Sequence, residues 1–394
     1  MKELQKDFLE YQAKTTPFPL GIEIDHAKGS YIYDTEGKEY LDFIAGVSAC
    51  SLGHCHPNVV DAIKKQCELY LHIMVYGEFA QEPAVNLAKE LAQELPDSLK
   101  VTYLVNSGTE AIEGALKLAK RVTGRAGLIA AHNAYHGSTH GALSLLGDEK
   151  QKKAYRPLLP GIQFIEFNHE NDLNKITTQT AAVLLETIQG GAGFIVPEND
   201  YLKKVKRKCE SVGALLILDE IQPGFGRTGK LFGFEHFEIV PDILVMGKGM
   251  GGGLPIGAFS GSSEHMKLLS EQPKLGHITT FGGNPIIASA ALATLRTIKS
   301  ERIIDAIKEK EQLFRSLLKH PKIKHINGTG LMLAPIFESV EIANQVVLKS
   351  MEKGLILFWL LWEKKAIRIS PPLNISKEEI RKGCKIIEEV LNDL

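Results

Sequence analysis

The sequence predicts an α/β fold: a large mixed, mostly parallel sheet covered by helices, followed by a smaller α/β domain. Three observations predict it. Ala214-Leu215-Leu216-Ile217-Leu218 is a continuous apolar run, the pattern of a strand buried on both faces of a parallel sheet. Helical spacing alternates with such strands between Pro57 and Asn284, as crossover connections require. From Pro285 to His320 helical periodicity dominates, and short strands and helices then alternate to the C-terminus.

Taken in order, residues 1–56 form an N-terminal segment expected to pack with the small domain, and residues 57–284 the large domain. Within the latter, Val101–Val105 reads as a strand, Asn106–Thr109 as a turn and Glu110–Arg121 as a helix. The helix follows from Ile112, Ala115, Leu116, Ala119 and Val122 at helical spacing. Residues 285–394 comprise a bridging helix and the small C-terminal domain. In it, strands are expected at Leu331–Phe337, Leu355–Phe358 and Ala366–Ile369, and helices near Val340–Lys353 and Ser376–Val390. The longest apolar stretch, Leu355–Trp362, is far shorter than the ~20 residues that span a bilayer and reads as a buried strand.

Lys248 is delivered by the apolar strand Ile243–Met246 into the run Gly247-Lys248-Gly249-Met250-Gly251-Gly252-Gly253. Glycines clear space for a bulky partner and let the backbone approach it. A lysine presented this way suits an imine with an aldehyde, its pKa lowered so that the amine is nucleophilic near neutral pH. Pyridoxal phosphate is the aldehyde this chemistry points to. A structural loop lysine paired with a surface acid is the competing reading. Asp219 ends the apolar strand before Glu220, and set against a pyridine nitrogen it keeps that nitrogen protonated. Apolar residues followed by Asp-Glu also describe the magnesium-holding strand of an ATPase, and Gly224–Lys230 matches most of a phosphate loop. That reading fails because Leu231 stands where a serine or threonine should hold magnesium, and the loop follows the acidic strand instead of preceding it. Gly247, Gly249 and Gly252 satisfy G-x-G-x-x-G, but no helix is expected to open behind them to take a pyrophosphate. A better anion site is the turn Ser107-Gly108-Thr109 at a helix N-terminus, where Ser107 or Thr109 could equally be a plain cap.

These segments together resemble the class III aminotransferases, the acetylornithine, ornithine and 4-aminobutyrate group. The resemblance is carried by Asn106–Ala111, Tyr135-His136-Gly137, Glu186–Gly190, Asp219–Gln222, Gly226–Gly229, Lys248 with its glycines, Thr279–Pro285 and Arg368–Leu373. It implies the aspartate-aminotransferase-like fold (fold type I), pyridoxal 5'-phosphate as cofactor, and a cytoplasmic homodimer. By the same resemblance Lys248 anchors the cofactor and shuttles protons, and Asp219 pairs with the ring nitrogen. Gln222 contacts the ring's 3-oxygen, Tyr135 stacks on the ring, and His136 of the same motif joins the cofactor site. Ser107, Gly108 and Thr109 hold the phosphate, Thr280 reaches the neighbouring subunit's cofactor, and Arg368 binds a substrate carboxylate. Two positions depart from the family pattern. Ser138 replaces a second arginine for a distal or α-carboxylate, and Gly191 replaces a glutamate that can screen the remaining arginine.

The bounds agree with an enzyme of small molecules. At 394 residues with a formal charge of −1, the chain has length for two domains but no basic field for nucleic acid. The N-terminus has no secretory core. Cys50, Cys55, Cys67, Cys209 and Cys384 form no C-x-x-C pair and suit a reducing compartment. Cys50, His54, Cys55 and His56 lack a second ligand pair at zinc spacing, so no metal is expected. The expected reaction moves an amino group from an amino acid or ω-amine to an oxo acid, 2-oxoglutarate or pyruvate, in ping-pong fashion. A same-fold aminomutase or phospho-lyase would share every cofactor residue. A non-catalytic binding protein of this fold is a further alternative.

Overall fold

The computed structural model describes residues 3–394. Its centre is a seven-stranded sheet in the spatial order Val101–Val105, Gly257–Gly261, Ile243–Gly247, Leu215–Asp219, Thr180–Glu186, Gly127–Ala131 and Ile162–Ile165. Only Gly257–Gly261 runs antiparallel to its neighbours. Alternate residues of each strand feed two apolar layers. Leu216, Leu218, Leu244 and Met246 enter one, and Ile217, Ile243, Val245 and Phe259 the other, with Ile112, Ala115 and Leu116 of the helix Gly108–Thr123. Burial on both faces is why these strands read as unbroken apolar runs.

The helix after Val105 starts earlier than its apolar periodicity indicates, at Gly108, because Ser107 caps it. The Ser107 hydroxyl accepts from the Glu110 N–H at 3.3 Å. Gly124, in the left-handed region at φ +66°, ends it. The predicted helical stretch 285–320 is two helices, Pro285–Ser300 and Ile307–Leu317, broken where Arg302 adopts φ +50°. Ile298 and Ile303 are buried on either side of the break, so the apolar pattern runs through it.

Further corrections concern the ends of the chain. The N-terminal segment carries strands that no apolar pattern announced, Ile24–Lys28, Tyr31–Asp34 and Glu39–Asp42. They are joined by Leu355–Ile356, which pairs parallel with Leu41 and Asp42. The stretch Leu355–Trp362 is not one buried strand. It divides into Leu355–Ile356 and Phe358–Trp359, which belong to different sheets, and Phe358 and Leu361 are 42% and 47% exposed. Likewise the strand expected at Ala366–Ile369 is Ile367–Arg368, paired antiparallel with Phe358–Trp359. The strand Met332–Phe337 has an unforeseen partner, Ile323–Thr329. Among the described residues no helix is long and apolar enough to cross a membrane.

Candidate active site

Parallel strands deliver their carboxyl ends to one edge of the sheet, where open α/β sheets hold their ligands. Glu186 and Asp219 end adjacent parallel strands and are register partners. Lys248 follows the next strand and opens a 3-10 turn, Lys248–Gly251, with φ +42°. A cavity of about 490 Å³ lies over this edge, lined by Lys248, Asp219, Glu186, Gly108, Thr109, Tyr135, His136, Gln222 and Arg368.

Asp219 is almost fully buried, so its carboxylate must be hydrogen-bonded. Its Oδ1 accepts from the Ile221 N–H at 2.9 Å, and its Oδ2 lies 2.8 Å from His136 Nδ1. His136 Nε2 is buried without a partner among the described residues, so the imidazole's one clear task is to hold Asp219. Burial lowers the pKa of Lys248, against the opposing pull of Asp219. A larger neutral fraction is what a nucleophilic amine needs.

The helix Gly108–Thr123 points its N-terminus at the same cavity, with amides that precede its first intrahelical bond. Ser107 is the cap and does not line the cavity; Gly108 and Thr109 do. Thr109 Oγ1 lies 2.7 Å from Thr139 Oγ1, whose hydroxyl donates to Glu113 Oε1 at 2.5 Å. Glu113 thus pins the helix to the turn that carries Tyr135 and His136. Gln222 donates to Ser48 Oγ at 3.2 Å. Thr280 is exposed and lies outside this cavity of its own chain.

Arg368 is 6% exposed, sits over the Phe194 ring at 5.8 Å, and leaves Nε without a partner. Burial brings its pKa down to about 10, partly offset by Glu186. The sequence places Glu186 in a motif without a role of its own. Burial pushes its pKa up to about 7, and it accepts from the N–H groups of Tyr135 and Gly190. It carries the same signal that identified Asp219, an acid ending an apolar strand. Glu220 points away from the cavity and binds the Thr187 hydroxyl and the amides of Gly233 and Phe234.

Motifs that suggested other chemistry have structural roles. Arg227, in the loop resembling a phosphate loop, is buried and donates to the carbonyls of Leu331 and Pro371. His54 pairs with Asp42 at 2.8 Å and His56 approaches Glu301 at 3.7 Å. Among the described residues no group of His, Cys, Asp and Glu could hold a metal ion.

A buried lysine of lowered pKa, an oriented carboxylate, a helix N-terminus and an arginine around one cavity define an enzyme that handles amines through a lysine-anchored, phosphorylated aldehyde cofactor. The comparisons make the class specific. The family described as "Aminotransferase class-III" matches residues 11–391, and the chain belongs to it. It is a pyridoxal-phosphate-dependent aminotransferase of fold type I. Acetylornithine aminotransferase of Caldanaerobacter subterraneus subsp. tengcongensis is 38% identical over 95% of each chain. The [LysW]-aminoadipate semialdehyde/glutamate semialdehyde transaminase of Sulfolobus acidocaldarius is 35% identical over 94% of this chain and 95% of that one. The solved ornithine aminotransferase of Toxoplasma gondii superposes with a TM-score of 0.91 at 33% identity, covering 99% of this chain and 94% of that one.

Proposed function

We propose that the chain works as a cytoplasmic homodimer that takes the amino group of an amino acid or ω-amine bearing at most one carboxylate and passes it to 2-oxoglutarate or pyruvate. The observation that carries this is the convergence of Lys248, Asp219 and the Gly108–Thr109 helix terminus on one cavity with Arg368, while Ser138 in the same cavity offers no second cation.

The residues fit pyridoxal phosphate. The helix terminus suits a phosphate, the recessed lysine an aldehyde, and the His136-bound carboxylate a ring nitrogen. When bound, the cofactor supplies an aldehyde that captures the amino group and a ring that accepts the electron pair left on carbon. Lys248 would be the anchor, and its amine would take the proton from the substrate carbon and return it. Asp219, held by the Ile221 N–H and by His136, would balance the positive charge of the ring nitrogen, with His136 as its positioning residue. Gln222 would meet the ring's 3-oxygen, and Tyr135 would cover the ring face, both residues lining the cavity. Arg368 holds the carboxylate of the oxo acid with its guanidinium fork.

Thr280 serves the partner subunit's cofactor, which is supported by its exposure outside its own cavity. The segment up to residue 56 joins residues 285–394 as the small domain against 57–284, supported by the pairing of Leu41 with Leu355. Five free cysteines suit a reducing compartment. The test is a spectrophotometric screen of the cofactor-loaded protein against amines and amino acids, followed by kcat/KM for those that bleach the cofactor's visible band. A donor with two carboxylates preferred a hundredfold or more over every donor with one or none would overturn the single-carboxylate assignment.

A further inference from the structure

We propose that Asn106, oriented by Glu110, is a positioning residue for the partner subunit's cofactor: it holds Thr279 and through it sets the direction of Thr280. The proposal rests on the reading of the chain as a homodimeric aminotransferase whose Thr280 serves the neighbouring site, and it names what places that threonine.

The loop that carries Thr280 precedes the helix Pro285–Ser300 and lies against the strand Val101–Val105. A Cβ on Gly282 would fall 2.5 Å from the Leu104 carbonyl oxygen and 3.2 Å from Val105 Cα, so the absence of a side chain is what lets the two backbones come this close. Before Thr280, the Tyr103 hydroxyl donates to the His277 carbonyl at 2.8 Å, and Lys117 Nζ donates to the Gly276 carbonyl at 3.0 Å. After it, Asn284 caps the helix, its Oδ1 accepting from the N–H groups of Ile286 and Ile287 at 3.0 and 3.3 Å. The loop is thus tied at both ends, and none of these bonds uses Thr280.

The tie next to Thr280 comes from Asn106. Its backbone N–H and its side-chain amide both donate to Glu110 Oε2, at 2.8 and 2.9 Å. A carboxylate accepts and does not donate, so Glu110 fixes which end of the Asn106 amide faces it. The same NH₂ group then has one N–H left, and it donates to Thr279 Oγ1 at 2.8 Å. Thr279 and Thr280 share a planar peptide, so the direction of Thr280 follows from how Thr279 is held.

Asn106 does not line the cavity of its own chain, whereas Gly108 and Thr109, two and three residues on, do. One strand, turn and helix therefore support two sites. The first helical amides face the cavity of their own subunit, and Asn106 holds the loop assigned to the other. A site held this tightly by its supporting residues loses affinity when one of those supports is removed.

The test is re-titration of the cofactor-free protein with pyridoxal phosphate, followed at the absorption band that depends on Lys248. Thr279→Val keeps the side-chain shape and removes the acceptor, and the midpoint should rise about three- to tenfold, the effect of one uncharged hydrogen bond. Thr279→Ser, which keeps the hydroxyl, should stay within about twofold of the parent. Asn106→Ala should also raise the midpoint, and by less in the Thr279→Val background than in the parent, because both changes remove the same bond. Mixed dimers locate the effect. When one chain carries Lys248→Ala with Thr279→Val and the other is unmodified, the remaining lysine site is completed by the altered loop and should show the raised midpoint. With Thr279→Val on the lysine-bearing chain instead, that site should load at the parent midpoint. The same two dimers made with Thr280→Ala are the control. A Thr279→Val effect confined to its own chain, or absent from both dimers, while Thr280→Ala acts across the interface, would overturn the proposal. Thr280→Ala acting in its own chain, or in neither dimer, would instead overturn the cross-subunit reading beneath it.

Discussion

Replacing Gly137 with alanine should loosen the cofactor without unfolding the protein. Gly137 has φ +129°, a region L side chains rarely adopt, and a Cβ there would lie 2.2 Å from Thr109 Oγ1, 2.4 Å from Thr109 Cβ and 3.0 Å from Thr109 Cα. Rotating the threonine does not relieve this, because its Cβ and Cα are themselves in the way. The backbone conformation costs about 1–3 kcal/mol with a side chain, and the overlap about 1–3 kcal/mol more. The strain is relieved by moving the first turn of the helix Gly108–Thr123 away from the Tyr135–Thr139 turn, against the Thr109–Thr139–Glu113 chain that holds them together. Those are the amides assigned to the phosphate. If only about 2 kcal/mol of the strain is felt on binding, affinity falls some thirtyfold. The assay is removal of pyridoxal phosphate, re-titration of the apoprotein by absorbance, and a melting curve of the apoprotein as a control. A Gly137→Ala protein that rebinds the cofactor with the parent affinity would refute the claim that this contact sets the helix terminus.

Lys248→Ala should lower turnover by several orders of magnitude, since general acid–base catalysis alone contributes ~10²–10⁴-fold; steady-state activity within a tenth of the parent would exclude Lys248 as the catalytic lysine. Asp219→Asn turns an NH₂ group toward either His136 Nδ1 or the Ile221 amide, which now meet Asp219 oxygens, and the deprotonation half-reaction should slow about a hundredfold or more. Single-turnover absorbance that stays at the parent rate would remove Asp219 from that step. A mixed dimer of one Lys248→Ala and one Thr280→Ala chain should recover one intact site, because under cross-subunit supply one site loses both groups and the other keeps both; no gain on full subunit exchange would mean that Thr280 acts within its own chain. His54 is held by Asp42, chiefly through their hydrogen bond, which raises its pKa from 6.5 to about 10. Because the folded value is the higher one, this stabilisation is complete below about pH 6.5 and is lost as pH rises toward 10. Melting temperatures of parent and His54→Gln should therefore converge over that window, and a constant difference between them would contradict the assignment.

The parts legible in the sequence are those fixed by short-range rules. A strand buried on both faces must be apolar throughout, so Leu215–Leu218 and Ile243–Met246 announced the sheet, and chain order announced the crossovers. Asp219, Lys248 and the Ser107–Thr109 turn were visible because each sits directly after such a strand, where an acid, a lone lysine or a glycine-bearing turn has no packing reason to be. Glu186 carries the same signal at the end of the strand Thr180–Glu186. Tertiary structure alone decided the rest of the cavity. Val47 and the Phe358–Leu361 segment lie far apart in sequence and meet over one sheet edge. An apolar pattern records that a side chain avoids water; it does not record whether core or ligand replaces the water, which is why Leu355–Trp362 reads as a buried strand while Phe358, Trp359 and Leu361 face the cavity. The fit of Trp362 against Gly191 is likewise absent from any local pattern, since it depends on two loops approaching closely enough that a single Cβ decides what fits between them.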